Sequence, residues 1–348
     1  MYRKILYLLL IALTFTSCEY RKDPLIRKQA KKNIKSIYIG RIGNVPNTIK
    51  LVKSLDANAV VIDVKDDLGV VPCDMDVPTV KKSTQCMSDI SQKIKELKKN
   101  GIYAIARIVA FKDFVRTDLC IRSNDGSIYV DKEKTQWLNP YNPEVWKYLI
   151  KISEESVKIG FDEIQFDYIR FSAYLKDDIN YRGTDTRSRR DIILQFLKLA
   201  CNVINKMGAA VSVDVFGCIV DGATNTSVLK SSSNLGQDYT ELATIVDYIC
   251  PMIYPSHFPE GSMGIDHPDL YPYEIVHRFV ALSDKMLKSI PNKKAIVRPY
   301  LQAFTAKWLK IHQKYGKRQV EEQIKAVTDA GLSHYGLFDF SSRYSFSH

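Results

Sequence analysis

Eight short apolar runs punctuate the chain: Ser36–Ile39, Ala59–Lys65, Tyr103–Val109, Glu163–Asp167, Ala210–Phe216, Tyr248–Tyr254, Ala295–Tyr300 and His334–Phe340. Their length and their content of Val, Ile and Tyr predict strands. Between them, helical periodicity runs over Asn47–Leu55, Ser88–Lys99, Glu144–Lys158, Arg189–Met207, Tyr239–Val246, Tyr273–Ser289 and Arg318–Ala330. Such regular strand–helix alternation predicts a parallel sheet, and eight strands are enough to close it into a (β/α)8 TIM barrel, an α/β fold of one domain. Connections into the strands are short, several with glycine (Gly101, Gly160, Gly208, Gly331), whereas those leaving strands two to six are long. In a barrel, long loops on one face mark the C-terminal strand ends as the functional face. The alternative, a doubly wound open sheet, lacks a G-x-G-x-x-G after its first strand.

The stretch from Gly160 to Phe171 carries the sharpest pattern. Alternate side chains of a strand point to opposite faces, so Glu163, Gln165 and Asp167 share one side and Ile164 and Phe166 the other. Gly160 is the kind of residue that ends the preceding helix. A carboxylate at the far end of such a strand is costly to bury unpaired, which predicts a polar cavity around Asp167.

The first residues lie outside this pattern. Arg3 and Lys4 precede an apolar run, Ile5 to Phe15, and Thr16-Ser17-Cys18 closes it. The run falls short of the roughly 20 residues needed to span a bilayer and reads as an export signal. Small residues before Cys18 resemble a bacterial lipobox, in which that cysteine is lipidated; Phe15 stands where leucine is usual. The expected organisation is a lipoprotein signal peptide over 1–17, a basic tether over 18–35 and the barrel over 36–348. A signal peptide cut nearby without lipidation is the alternative.

The formal charge of +11 is concentrated at this end, in Arg3, Lys4 and then Arg21, Lys22, Arg27, Lys28, Lys31, Lys32 and Lys35 against Glu19 and Asp23. A basic tether beside a lipid anchor favours anionic headgroups, whereas a nucleic-acid binder clusters its charge on the folded domain. The expected location is therefore an exported, membrane-anchored lipoprotein, periplasmic or at the cell surface, with no nucleic-acid partner. Besides Cys18, six cysteines remain. Cys73 and Cys86 are placed to close a loop, but spacing determines no pairing, and Cys201 and Cys250 sit in apolar runs that suit buried thiols. No metal-site spacing is present and no cofactor is expected.

Polar residues at the strand ends supply the candidate chemistry. The second strand carries Asp63 and Lys65, which a regular strand places on one face; the third carries Arg107; the fourth carries Gln165 and Asp167, then Tyr168 and Arg170; the fifth carries Asp214. Tyr254 closes the sixth, Arg298 lies on the seventh and Asp339 on the eighth. Closed into a barrel, these converge on one rim. Carboxylates and arginines hydrogen-bond hydroxyls, and Tyr168, Tyr254, Phe258 and Trp137 offer faces for sugar rings, so the expected substrate is a carbohydrate. Glycoside hydrolysis needs two carboxyl groups, one protonated and one ionised. Asp167 and Asp214, at the ends of adjacent strands, are the expected pair: Asp167 as nucleophile or base, Asp214 as general acid. Asp63, Lys65, Arg107, Gln165, Tyr168, Arg170, Tyr254, Arg298 and Asp339 are the expected substrate-binding set. Asp63 is equally suited to pair with Lys65 or Arg107, and Arg298 to neutralise a rim carboxylate.

From about Ile34 onward the chain resembles the bacterial putative glycosyl hydrolase domain family, domain of unknown function 4015. The resemblance is carried by the segment from Asn58 to Asp67, by Gln136-Trp-Leu-Asn-Pro-Tyr-Asn142 and by the Gly160–Phe171 stretch. Asp214-Val-Phe-Gly217, Pro251-Met-Ile-Tyr-Pro-Ser-His257 and Arg298-Pro-Tyr-Leu-Gln302 add to it. It implies a barrel related to sugar hydrolases; the expected activity, read together with the rim residues and the export signal, is hydrolysis of a surface or environmental polysaccharide. More distantly, Phe161–Ile169 is similar to the fourth-strand signature of family 18 chitinases, DxxDxDxE. Asp162 and Asp167 match the first and third acids, Gln165 replaces the second, and Ile169 stands where the catalytic glutamate belongs. That departure removes the acid of substrate-assisted cleavage, so the second carboxylate must come from another strand. A carbohydrate-binding lipoprotein on a barrel without catalysis is the alternative function.

Overall fold

The computed structural model describes residues 33–77, 82–221 and 233–344. Cys18, the signal segment and most of the tether lie outside the described residues. The barrel strands are β1 (Lys35–Gly40), β2 (Ala59–Lys65), β3 (Tyr103–Val109), β4 (Glu163–Asp167), β5 (Ala210–Phe216) and β6 (Tyr248–Ile253). β7 follows in two pieces, Ile296–Val297 and Tyr300–Gln302, and β8 is Tyr335–Phe338. All neighbouring pairs are parallel. β8 pairs with β1, and β7 bonds both β6 and β8, so the sheet closes into a (β/α)8 barrel. β7 is split at Arg298-Pro299, where proline has no N–H to give the ladder.

Among the described residues seven helices alternate with the strands: α1 (Val45–Ser54), α2 (Ile90–Lys99), α3 (Pro143–Ile159), α4 (Arg189–Lys206), α5 (Tyr239–Ile245), α6 (Pro272–Lys288) and α7 (Lys317–Asp329). Local chemistry sets their ends. Asn142 caps α3 by accepting from the Glu144 N–H, Pro143 occupies the first turn, and Gly160 stops the helix at φ 118°. The long loop after β2 holds a feature that the alternation did not predict, a small parallel ribbon of Val71–Cys73 and Lys82–Met87.

Two apolar layers result. Outward residues such as Ile164 and Phe166 of β4 pack on the helices in one large cluster. Burying each such side chain stabilises the fold by about 1.5–3 kcal/mol. A smaller cluster with Val61, Ile105, Tyr248 and Tyr300 fills the barrel interior. The inward residues of β4 are polar and form three tiers. At the base, Glu163 is fully buried and takes the guanidinium of Arg298, one bond being 3.0 Å, with Ser212 Oγ also donating to it. Above it, Gln165 accepts from Tyr300 Oη at 2.7 Å. Asp167 forms the top tier. Cys73, Cys86, Cys120, Cys201 and Cys250 are free thiols.

Candidate active site

Arg107 organises the mouth of the barrel. Its Nε and Nη2 donate to Asp167 Oδ2 at 3.0 and 2.7 Å, its Nη1 donates to Asp63 Oδ1 at 2.9 Å, and both terminal nitrogens reach Asp67 Oδ2 at 3.1–3.2 Å. Burial disfavours a charged guanidinium, but three carboxylates outweigh it and hold Arg107 well above its ordinary value. The remaining oxygen of Asp167 accepts from the Tyr168 N–H at 2.7 Å, so its carboxylate is fixed by three N–H donors. Tyr168 itself adopts φ 49°, a strained conformation for a non-glycine residue, immediately after the candidate nucleophile.

Asp214 is placed differently. It is 3% exposed, and its Oδ1 has no hydrogen-bond partner among the described residues. Burial, followed by the charge of Asp167, drives its carboxyl well above the usual carboxylate range and so favours its protonated form. The register pairs Phe166 with Val213, which sets Asp167 and Asp214 at matching positions on adjacent strands, about 4.8 Å apart at the backbone. One carboxyl is held by cationic donors and its neighbour is kept neutral by burial, which is the division of roles that acid-assisted bond cleavage requires.

Asp63 belongs to the same network. It accepts from Tyr38 Oη at 2.6 Å and from Arg107, and burial raises its carboxyl above the ordinary range against both of those partners. Burial also pushes Asp67 upward, but Arg107 and Lys112 outweigh it and leave it lowered. Neither Tyr38 nor Asp67 stood in the candidate set. Tyr38 occupies an inward position of β1, and Asp67 closes the Asp63–Asp67 segment, so strand parity and an acidic strand end were the available signals.

Other candidates lie elsewhere. Asp63 and Lys65 do not share a face: β2 bulges between them, so that Asp63 sits opposite Arg107 and Lys65 opposite Ile108. Lys65 is fully buried under the following loop, bonded to Asp113 at 2.9 Å and to the Val109 and Lys112 carbonyls. Arg298 is 1% exposed in the base tier, two layers below the mouth, and Gln165 fills the tier between. Arg170 is at the mouth, its guanidinium within 4.5–5.1 Å of the Trp137, Tyr168 and Phe216 ring centres. Asp339 accepts from the Ser341 N–H and Oγ and so closes the turn after β8.

Of the proposed sugar faces, Trp137 is buried with its indole N–H on Asp131, and Phe258 stacks on Phe279 of α6 at 4.2 Å. Tyr254 stays at the mouth, stacked on Phe338 at 5.6 Å. Asp162, the first acid of the chitinase-like signature, pairs with Lys98 and accepts from the Ala104 N–H, and Ile169 is buried in the apolar layer. A separate cavity of about 960 Å³ lies beside the mouth, among Asp177, Arg182, Asp185, Arg189 and Gln237, and includes neither carboxyl of the pair.

A closed parallel barrel with a charged cluster at its C-terminal rim defines the class: a barrel of the glycoside hydrolase type. The chain belongs to the family described as "Putative glycosyl hydrolase domain", whose model matches residues 34–344. No curated protein matches it. Among solved structures it is similar to the PgaB (BpsB) glycoside hydrolase domain from Bordetella bronchiseptica, at 14% identity and TM-score 0.62 over 89% of this chain and 94% of that one. The spore cortex-lytic enzyme SleL of Bacillus cereus gives 12% identity and TM-score 0.53 over 90% of this chain and 72% of that one. The alpha-galactosidase TtGalA of Thermus thermophilus gives 9% and 0.51 over 88% and 57%. At such identities the likeness is one of fold.

Proposed function

We propose that the protein hydrolyses glycosidic bonds of a surface or environmental polysaccharide, with Asp167 as nucleophile and Asp214 as general acid. The observation that carries this reading is the contrast between two neighbouring strand-end carboxyls, one held by Arg107 and one buried with an oxygen that has no partner among the described residues. In this reading Asp214 delivers its proton to the leaving oxygen while Asp167 attacks the anomeric carbon from the opposite side. The resulting glycosyl ester is opened by water, and Asp214, now ionised, takes the water's proton. Arg107 acts through Asp167, as a positioning residue whose two N–H donors hold the nucleophile's carboxylate in place. Tyr168, Arg170 and Tyr254 border the space where the sugar would sit, whereas Lys65, Gln165 and Arg298 support the barrel beneath it.

The test is reducing-end release from a polysaccharide panel by residues 19–348, beside Asp167→Asn and Asp214→Asn. Loss in both variants with folding intact supports the assignment. Saturable glycan binding without release, surviving Asp167→Asn, would replace it with a carbohydrate-binding lipoprotein on the same barrel. We further propose export and anchoring through a lipidated Cys18, supported by the apolar run before it and the basic tether after it. Membrane fractionation of Cys18→Ser tests this, since an unchanged membrane share would discard the anchor.

A further inference from the structure

Large apolar side chains exposed on this molecule are concentrated at one end. Leu68, Val130, Tyr271, Trp308, Ile311 and Phe340 all lie in the segments that follow barrel strands, on the side where the carboxyl pair sits. Trp308, 62% exposed, is the tryptophan among them. The other two tryptophans turn their indole N–H inward, Trp137 to Asp131 at 2.8 Å and Trp146 to the Pro140 carbonyl at 2.7 Å. The Trp308 N–H bonds no described residue, yet its ring is held from behind. It stacks on Phe304 at 5.9 Å and 26°, and meets His257 edge-on at 5.9 Å. Burial keeps His257 below its ordinary value and so uncharged at neutral pH. The support runs on without a gap: Phe304 contacts Tyr254 at 5.7 Å, and Tyr254 stacks on Phe338 at the mouth.

An aromatic face fixed in place and open to solvent offers the apolar side of a sugar ring contact area at little entropic cost. We propose that Trp308, backed by Phe304 and His257, is an outer sugar-stacking subsite of the cleft, and that the substrate is a chain of at least three sugar units rather than a terminal sugar. The inference rests on the glycoside hydrolase reading and adds the class of substrate to it. The two ring contacts from Tyr254 through Phe304 to Trp308, 5.7 and 5.9 Å, are each about the length of one sugar unit, so a substrate reaching from Tyr254 to Trp308 extends beyond a single ring.

The test uses Asp167→Asn protein of residues 19–348, titrated with hexasaccharides of N-acetylglucosamine, glucosamine, glucose and galactose and with each monosaccharide. Trp308 is the exposed tryptophan, so a bound hexasaccharide should shift tryptophan emission at concentrations where its monosaccharide does not. By calorimetry, Trp308→Ala should weaken that hexasaccharide roughly tenfold, the loss of one aromatic contact, while Trp308→Phe restores most of it. A hexasaccharide bound or cleaved equally well by Trp308→Ala overturns the subsite and leaves the hydrolase reading standing. Absence of binding and cleavage across the panel overturns both. Self-association in sedimentation that Trp308→Ala abolishes also overturns the subsite, in favour of contact between two copies of the chain.

Discussion

Replacing Asp214 by asparagine separates activity from stability in a way that few active-site substitutions do. In the folded protein Asp214 is buried, lacks a partner for Oδ1 among the described residues, and its carboxyl is raised well above the ordinary range by desolvation and by the charge of Asp167. In the unfolded chain it ionises near pH 3.9. A folded-state value raised above the unfolded one gives stability that is fully present below the unfolded value and is lost as pH rises towards the folded value. The loss is about 1.4 kcal/mol per pH unit across that window. Asparagine matches the neutral acid in shape and does not titrate. Near pH 4 the variant and the parent should therefore agree within about 1 kcal/mol, the worth of one neutral hydrogen bond. As pH rises above 4 the variant should become progressively the more stable of the two, while turnover falls about 10²–10⁴-fold through loss of the general acid. Urea unfolding followed by circular dichroism from pH 4 to 8, beside reducing-end release, measures both. A stability difference that stays flat over that range, or a variant less stable than the parent at pH 7, would show Asp214 ionised and refute the assignment of the acid.

Other expectations follow from the same geometry. Arg107→Met strands Asp63 and Asp167 as buried carboxylates and should cost about 3–5 kcal/mol in unfolding free energy, with Arg107→Lys recovering part of it. Arg298→Met leaves Glu163 unpaired in the base tier and should destabilise by a similar amount, yet kcat per folded molecule should stay within a few-fold, because the tier lies below the mouth. A nucleophile on one strand and an acid on its neighbour call for retention, for which the two carboxyls stand about 5–5.5 Å apart; proton NMR of early product should show retained anomeric configuration, and inversion would remove Asp167 as nucleophile.

The barrel was legible along the chain because its cause is local. Period-two runs ended by glycine and helical runs capped by Asn142 or Ser188 form their elements wherever they lie, and predicted and observed limits differ by a residue or two at most boundaries. The inward parity of Glu163, Gln165 and Asp167 was legible for the same reason. The ribbon between β2 and α2 was hidden, since Val71–Cys73 and Lys82–Met87 pair only with each other within a long loop. Lys65 was misread because a one-residue bulge reverses the parity of everything after it. Arg298 was misread because parity says which face a side chain takes but not how deep in the barrel it sits.

What the sequence by itself determined, then, is the order of strands and helices, the face each strand turns inward and the acidic character of the strand ends, all consequences of hydrophobic spacing and backbone preference. Tertiary structure alone decided which charges meet. Arg107 joins carboxylates from two other strands or their loops, Glu163 is neutralised by an arginine 135 residues away, and Asp214 keeps one oxygen without a partner among the described residues. Closure of the barrel excludes water from these groups, and it is that shared desolvation, absent from any local segment, that makes one aspartate an anchored anion and its neighbour an acid.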